Sequence, residues 1–424
     1  MIRTILFACL SILLVASIIH SPDASFQASL QGLNIWWGFV FPGLLPFLVL
    51  FELLSAFGIA HGLGVLLQPM LRRLLRLPEE SGLAVTRGWL GGFPAGAETV
   101  AELRTRGVAG RDQAQRLLAL AHMPNPIFML VVVGAGFLAE PWLGVFITAA
   151  VWISALWLAW LSALLSPRQT EERTSETLPP AIPAAAESPY HAAESIDTVH
   201  SPVAHIRPQS LVQQAVAAME QARLQDGRSL GKLLGESVTS SIQKLMATGG
   251  LIIFCSVLTR LMLPLLETVV PSGETYRFVL AGLMESHLGS YAASSWHTQS
   301  SSSLLLAVAV ICAIVSWSGG SALLGAANAL SGTDLRLLPF IAAKLLHAAH
   351  AFMFAVIMWK PALALLATLP PALRPAAPTL AGSQGAQTAV LSLWPSALAL
   401  LGAAAFLFLA ITALAAPFRY RRTR

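Results

Sequence analysis

Charge is what this chain has least of. Only 11% of its 424 residues are Asp, Glu, Lys or Arg, where a soluble globular protein carries about a quarter. That shortage excludes a water-soluble fold, and it excludes a disordered chain, which needs high charge and low hydrophobicity; here 55% of residues are hydrophobic. Cysteine is nearly missing too. Cys9, Cys255 and Cys312 lie in apolar runs with no second ligand type at coordinating spacing. They read as small core or lipid-facing residues, not as disulfide, redox or metal groups. The formal charge of +5 is scattered among apolar segments and not gathered on a polar domain, which points to a membrane surface and away from nucleic acid.

What is present in quantity is apolar sequence. A helix needs about 20 mostly apolar residues to cross the hydrocarbon core with its backbone hydrogen bonds satisfied internally. Such stretches stand at 4–20, 35–60, 141–165, 246–266, 304–317 (running into a glycine turn), 351–369 and 389–416. The fold class is therefore an all-α, multi-pass integral membrane protein in a lipid bilayer. The first stretch follows a lone Arg3 and has no small-residue cleavage pattern after it, so it is expected as a retained helix. Residues 62–77, with Arg72, Arg73 and Arg76 among leucines, read either as an amphipathic helix in the interface or as the snorkelling end of a long span.

Residues 167–230 break the pattern, with Pro167, Pro179, Pro180, Pro183, Pro189, Pro202 and Pro208 among Glu, Ser, Thr and His. They read as a flexible polar linker. The expected organisation is an N-terminal transmembrane helix (1–30), a first transmembrane repeat (31–166), the linker (167–230), a second repeat (231–369), and a C-terminal helix with a basic tail (370–424). The clusters at Arg72–Arg76 and Arg419–Arg424 favour the cytoplasmic side, which places the C-terminus there.

The two halves resemble each other. Laying residues 89–122 over 317–350 without a gap pairs Trp89 with Trp317, Gly91-Gly92 with Gly319-Gly320, Thr105 with Thr333, Arg116 with Lys344 and His122 with His350. Matches of Ala and Leu are cheap in this composition; a tryptophan, a glycine pair and a histidine in one register are not. Paired halves with glycine-interrupted apolar segments point to a transporter whose site lies near mid-membrane between broken helices. At Gly91-Gly92-Phe93-Pro94-Ala95-Gly96 the glycines allow positive φ, and Pro94 lacks an N–H and clashes one turn back, so a continuous helix is unfavourable. Freed backbone groups at membrane depth must face protein or a wet cavity. A re-entrant helical hairpin is expected at 83–106, with its counterpart at 318–332. The exposed N-terminus of a half-helix favours an anion. The plainer reading is that these glycines only permit tight helix packing.

Expected substrate contacts are Gly91, Gly92, Pro94, Gly96, Asn125, Pro126, Gly319, Gly320, Ser321 and Asn328. Pro124 and Pro126 flank Asn125, break the chain there and leave its amide beside unpaired backbone. Glu52, Glu98 and Glu285 are carboxylates in apolar surroundings, suited to binding a coupling cation or proton or to positioning a gate. The alternative for each is a structural salt bridge or a cap. His347 and His350, with Lys344, share one helical face and read as a polar seam, not a metal site. No catalytic dyad or metalloprotease motif occurs, so no enzyme activity and no resident cofactor are expected.

These residues carry a family resemblance. Leu44-Leu45-Pro46-Phe47 with Glu52, Gly92-Phe93-Pro94-Ala95-Gly96-Ala97, Asn125-Pro126-Ile127-Phe128, Gly282-Leu283-Met284-Glu285 and Ser316-Trp317-Ser318-Gly319-Gly320, followed by Thr333-Asp334-Leu335, resemble the sporulation integral membrane protein family of YlbJ type. That family belongs to the nucleoside-recognition (Gate) domain group, distantly similar to concentrative nucleoside transporters, and the match covers roughly 35–165 and 232–360. The resemblance implies a multi-pass protein of the bacterial cell or forespore membrane that moves dipicolinate, a small aromatic dicarboxylate. The chain departs from the family where Glu98 replaces a basic residue, where His287-Leu288-Gly289 replaces Thr-Asn-Gly, and at Leu324 and Ala326. The expected function is transport of a small organic anion or nucleoside-like metabolite; a sporulation assembly protein recruiting partners through the linker is the alternative. A homo-oligomer stays open.

Overall fold

A computed structural model describes residues 2–166, 210–269, 275–300 and 303–368. The expected span at 389–416, the basic tail and residues 167–209 of the expected linker lie outside the described residues. Every described element is a helix: α1 (Ile2–His20), α2 (Pro22–Ile35), α3 (Phe41–Ala56), α4 (Ile59–Leu74), α5 (Ser81–Gly91), α6 (Ala95–Thr105), α7 (Arg111–Ala121), α8 (Pro141–Leu165), α9 (Leu211–Asp226), α10 (Leu230–Val269), α11 (Thr275–Met284), α12 (Ser286–Ser300), α13 (Leu304–Trp317), α14 (Gly319–Ala329) and α15 (Leu337–Thr368), with π-helical stretches at Trp36–Val40 and Phe128–Phe137.

Among the described residues five helical stretches are long and apolar enough to cross a bilayer: Pro22–Ala56, Pro141–Leu165, Leu230–Pro264, Leu304–Ala329 and Leu337–Thr368. Three begin well before the sequence runs suggested, and for the same reason. Gln27, Gln31 and Asn34 in α2, Lys232, Glu236 and Lys244 in α10, and Lys344, His347 and His350 in α15 interrupt the apolar pattern without interrupting the helix. α1 is apolar all round, with Phe7, Leu10, Ile12 and Leu13 each more than half exposed, the surface a lipid-facing helix presents. α4 matches the amphipathic segment at 62–77, burying Leu67, Met70 and Leu71 and leaving Arg72 and Arg73 outside.

The extent of the linker needs correcting. Residues 211–226, assigned to the flexible linker, form α9. Ser210 and Gln213 make a capping box at its start, and Gly227 ends it in the left-handed conformation, both standard helix signals. Its Ala215 and Met219 pack on α4, where a Cβ at Gly62 would stand 2.5 Å from the Met219 side chain. The apolar face is short and alanine-rich, so it is masked by the glutamines around it.

Two helix pairs double back on themselves. Gly88 of α5 and Gly96 of α6 would lie about 12 Å apart in a continuous helix, yet a Cβ at Gly88 would come within 3.1 Å of Gly96 Cα. The turn is Gly92, at φ 78°, followed by the cis Phe93–Pro94 bond. α11 and α12 do the same around Glu285: a Cβ at Gly289 would stand 2.6 Å from Gly282 N and would overlap Gly282 Cα. The hairpin counterpart expected at 318–332 is not one. α13 and α14 break at Ser318, φ 82°, but α14 continues away from α13 and packs on α6 and α11. α7 and the π-helical stretch at 128–137 are likewise separated by a break, at 122–125.

One face of the molecule is tied by polar bonds. Arg104 donates from Nε and Nη2 to the two carboxylate oxygens of Asp334 at 2.8 and 2.9 Å, Arg111 lies 3.7 Å from the same carboxylate, and Gln115 exchanges two 3.0 Å bonds with the Arg336 backbone. Arg116 donates to the Leu75 and Arg76 carbonyls, and Arg76 to the Ala163 carbonyl.

Two outcomes follow from this packing. Gly88→Val places methyl groups on the Ala121 carbonyl and on Gly96 and is expected to lower stability by about 1–3 kcal/mol, whereas Gly235→Ala, with nothing within 4 Å, is expected to leave it unchanged or raise it by up to about 1 kcal/mol; thermal unfolding in detergent compares them. The hydrogen bonds from Arg104 hold the Asp334 carboxyl below its ordinary range. Its contribution is therefore complete above the ordinary carboxylate pKa and is lost as pH falls through the depressed value. Asp334→Asn is expected to remove that acid-side dependence at a cost below about 1 kcal/mol, since the pair is solvent-accessible; unfolding midpoints measured against pH test it.

Candidate functional site

The first hairpin tip is held by the break in the next helix. The Trp89 indole N–H donates to the Leu120 carbonyl at 2.8 Å, and the Asn125 amide N–H₂ donates to the Leu90 carbonyl at 3.0 Å. Asn125 Oδ1 accepts from the Ile127 N–H at 2.7 Å. Each of these carbonyls or N–H groups lies near a helix end, where backbone partners are missing. Gly92 is required at the contact: a Cβ there would stand 3.1 Å from Asn125 N and Cβ. Asn125, expected to touch substrate, thus uses its amide to join the tip to the broken helix.

The second tip is built the same way with the roles exchanged. Here the broken helix carries the indole, and Trp317 Nε1 donates to the Leu283 carbonyl at 3.2 Å. Gly319, φ 81°, lies against the tip, with its would-be Cβ 2.9 Å from Ser286 N and 3.0 Å from Glu285 Cα. Glu285 is 4% exposed and caps α12: its carboxylate accepts from the Leu288 N–H at 2.7 Å and lies 2.6 Å from His287 Nδ1. A carboxylate on the first N–H groups of a helix meets the positive end of its dipole.

His287 joins the two assemblies. Its ring lies 4.1 Å from that of Phe128, just beyond the Asn125–Pro126 break. Pro94, exposed at the first tip, faces α14, where a Cβ at Gly325 would stand 4.0 Å from Pro94 Cβ. α6 and α14 both begin without a side-chain cap. The sequence signal for His287 was only its place two residues after a buried glutamate.

The other expected residues scatter. Gly91 lies against the Phe51 ring and Gly96 in the hairpin seam; Pro126 is buried at the break, and Gly320 and Ser321 are half-buried in the first turn of α14. Asn328 lies about two helical turns further along α14, exposed, one turn beyond the Gly325 that faces Pro94, with its carbonyl accepting from Ser331. Glu98 is exposed in the first turn of α6 and has no ion pair among the described residues. Glu52 forms a salt bridge with Lys244 of α10, the structural alternative weighed for it. A cavity of about 260 Å³ is lined by Gln27, Leu30, Gln31, Asn34, Ile35, Phe39 and Tyr291; none of the tip residues lines it. Among the described residues no group of three His, Cys, Asp or Glu is placed to hold a metal ion.

No protein-family profile matches the chain, and no solved structure matches it. It is similar to the sporulation integral membrane protein YlbJ of Bacillus subtilis (strain 168), 35% identical over 375 residues, which covers 85% of this chain and 84% of that protein. With that identity over most of both chains, this multi-pass membrane protein belongs to the YlbJ family.

Proposed function

We propose that the protein is a transporter of a small organic anion across a membrane of a spore-forming cell, with dipicolinate as the substrate that the family resemblance implies. One observation carries the reading: two hairpins, each seated on a broken helix, meet at His287 and Phe128 beside the uncapped N-termini of α6 and α14. Uncapped N-termini offer unpaired N–H groups and the positive ends of helix dipoles, the arrangement that binds carboxylates.

The order hairpin, broken helix, long helix occurs twice, as α5–α6, α7 with 128–137, and α8, then as α11–α12, α13–α14, and α15. Gly88 and Gly282 stand at the same spacing as Asn125 and Gly319. We read these as two repeats, in a register different from the one that aligns Trp89 with Trp317. The first set makes two crossings after its hairpin, and α10 adds one more. The second hairpin therefore enters from the opposite face, and the repeats are inverted, as in carriers with a mid-membrane site. The face that carries Arg72, Arg76, Arg104, Arg111 and Arg116 is the cytoplasmic one by charge bias.

In this reading, the substrate carboxylates lie on the N–H groups of α6 and α14, and Glu285 occupies the equivalent place on α12. Glu98 and Glu285 keep the pocket from being permanently cationic, so that a dicarboxylate binds and leaves. Alternating access comes from one hairpin and its broken helix rocking against the other pair.

The test is uptake of dipicolinate into vesicles containing the purified full-length chain, with nucleosides measured alongside. Saturable dipicolinate uptake, lowered tenfold or more by Glu285→Gln, is the expected result. Uptake of nucleosides alone overturns the anion assignment, and no uptake of either overturns transport.

A further inference from the structure

A second polar cluster lies behind the first tip, within the membrane-spanning part of the chain. Lys344 of α15 is fully buried. Its Nζ donates to the His122 carbonyl at 2.9 Å and lies 3.5 Å from His347 Nδ1. His347 is buried too, with Nε2 3.0 Å from the Val151 carbonyl of α8 and the Ser316 carbonyl beside it. A carbonyl can only accept, so the ring proton sits on Nε2 and Nδ1 is the bare acceptor that faces Lys344. The His122 ring stands between Phe93, 4.5 Å away, and Phe340, 5.1 Å away, and both its nitrogens are buried without a hydrogen-bond partner.

Among the described residues the cluster has no carboxylate. α15 packs on α7, α8 and α13. α8 contains no titratable side chain, and α13 contains only Cys312. On α7, Arg111 faces Asp334, Arg116 faces the Leu75 and Arg76 carbonyls, and Asp112 sits in the first turn, at the far end from His122. His350, on α15 itself, bonds back to the Leu346 carbonyl. A buried ammonium without a counter-ion is costly. Among the described residues the compensation is the negative end of the α7 dipole, because His122 is the residue that closes that helix, together with the bare Nδ1 of His347. Lys344 thus keeps a stable charge only while the end of α7 remains against it, and His347 reaches the last turn of the other broken helix.

We propose that Lys344, backed by His347, is the proton-binding site of this protein: gain or loss of one proton at Nζ adds or removes the charge that strengthens its bond to the end of α7, and so determines whether the first hairpin and its broken helix can move. The inference rests on the transport reading and moves the coupling site from the glutamates to α15. Lys344 does not touch substrate; it acts through the position of the broken helix.

The experiment uses vesicles holding the full-length chain and a pH-sensitive dye inside, with dipicolinate added outside. Wild type is expected to move protons with dipicolinate at a fixed ratio and with a pH-dependent rate. Lys344→Met is expected to move dipicolinate with at least tenfold less proton movement and a flat pH profile. Lys344→Arg keeps the bond but cannot release the proton, and is expected to fold with an unchanged unfolding midpoint and lose at least tenfold in flux. A wild-type proton ratio and pH profile in Lys344→Met overturns the proposal. A ligand-free titration separates its failure from failure of transport. Trp152, next to Val151 and 4.8 Å from Trp89, reports on the cluster by fluorescence in protein without substrate. A pH transition in wild type that is absent from Lys344→Met and displaced in His347→Gln supports the site even where no dipicolinate moves; one titration curve shared by all three overturns it.

Discussion

Close approach of backbones at paired glycines is the contact on which the rest of this molecule depends. In lipid no hydrophobic force draws one apolar helix to another, and association comes from van der Waals packing and hydrogen bonds. Gly64 with Gly82, Gly88 with Gly96, Gly134 with Gly144, and Gly282 with Gly289 each bring two neighbouring helices together backbone to backbone. Two of these seams close the hairpins. Without them the tips could not reach the broken helices, and the freed N–H and C=O groups at 90–92 and 283–286 would lose their protein partners.

The two tips solve one problem with different residues. Each uses an indole N–H to satisfy a carbonyl at a helix end, but Trp89 belongs to a hairpin and Trp317 to a broken helix. Each presses a positive-φ glycine against the neighbouring turn, Gly92 in the hairpin and Gly319 in the broken helix. This exchange of roles explains the alignment of 89–122 with 317–350. The matched tryptophans do the same work from opposite sides of the contact, while the positive-φ glycines Gly92 and Gly319 stand one position out of that register, so the sequence pairs residues that the architecture does not.

The membrane class and the turn at Gly92–Pro94 could be read from apolar runs and from glycine with proline. Other features could not, each for a physical reason. The α11–α12 hairpin has no proline and turns at a glutamate whose own carboxylate supplies the cap, a bond that spacing alone does not reveal. α9 hides a narrow apolar face under glutamine and alanine. Asn125 was correctly placed beside unpaired backbone, but that backbone takes up its amide. Lys344, His347 and His122 looked like an ordinary polar seam because their partners are main-chain carbonyls, which have no signature in a sequence.

α2 and α10 pack beside the second hairpin and are bolted together directly. The Trp36 indole donates to the Leu245 carbonyl at 2.8 Å, and the Ser256 hydroxyl to the Ala28 carbonyl at 2.7 Å, while Gly32 lets Ile253 Cα lie against the α2 backbone. Side-chain bonds to main-chain carbonyls at two heights resist both sliding and rotation. This pair is therefore a fiducial post: spin labels on α2 and α10 keep a constant separation, and distances measured from them to α6 or α12 register displacement of the tips in a fixed frame.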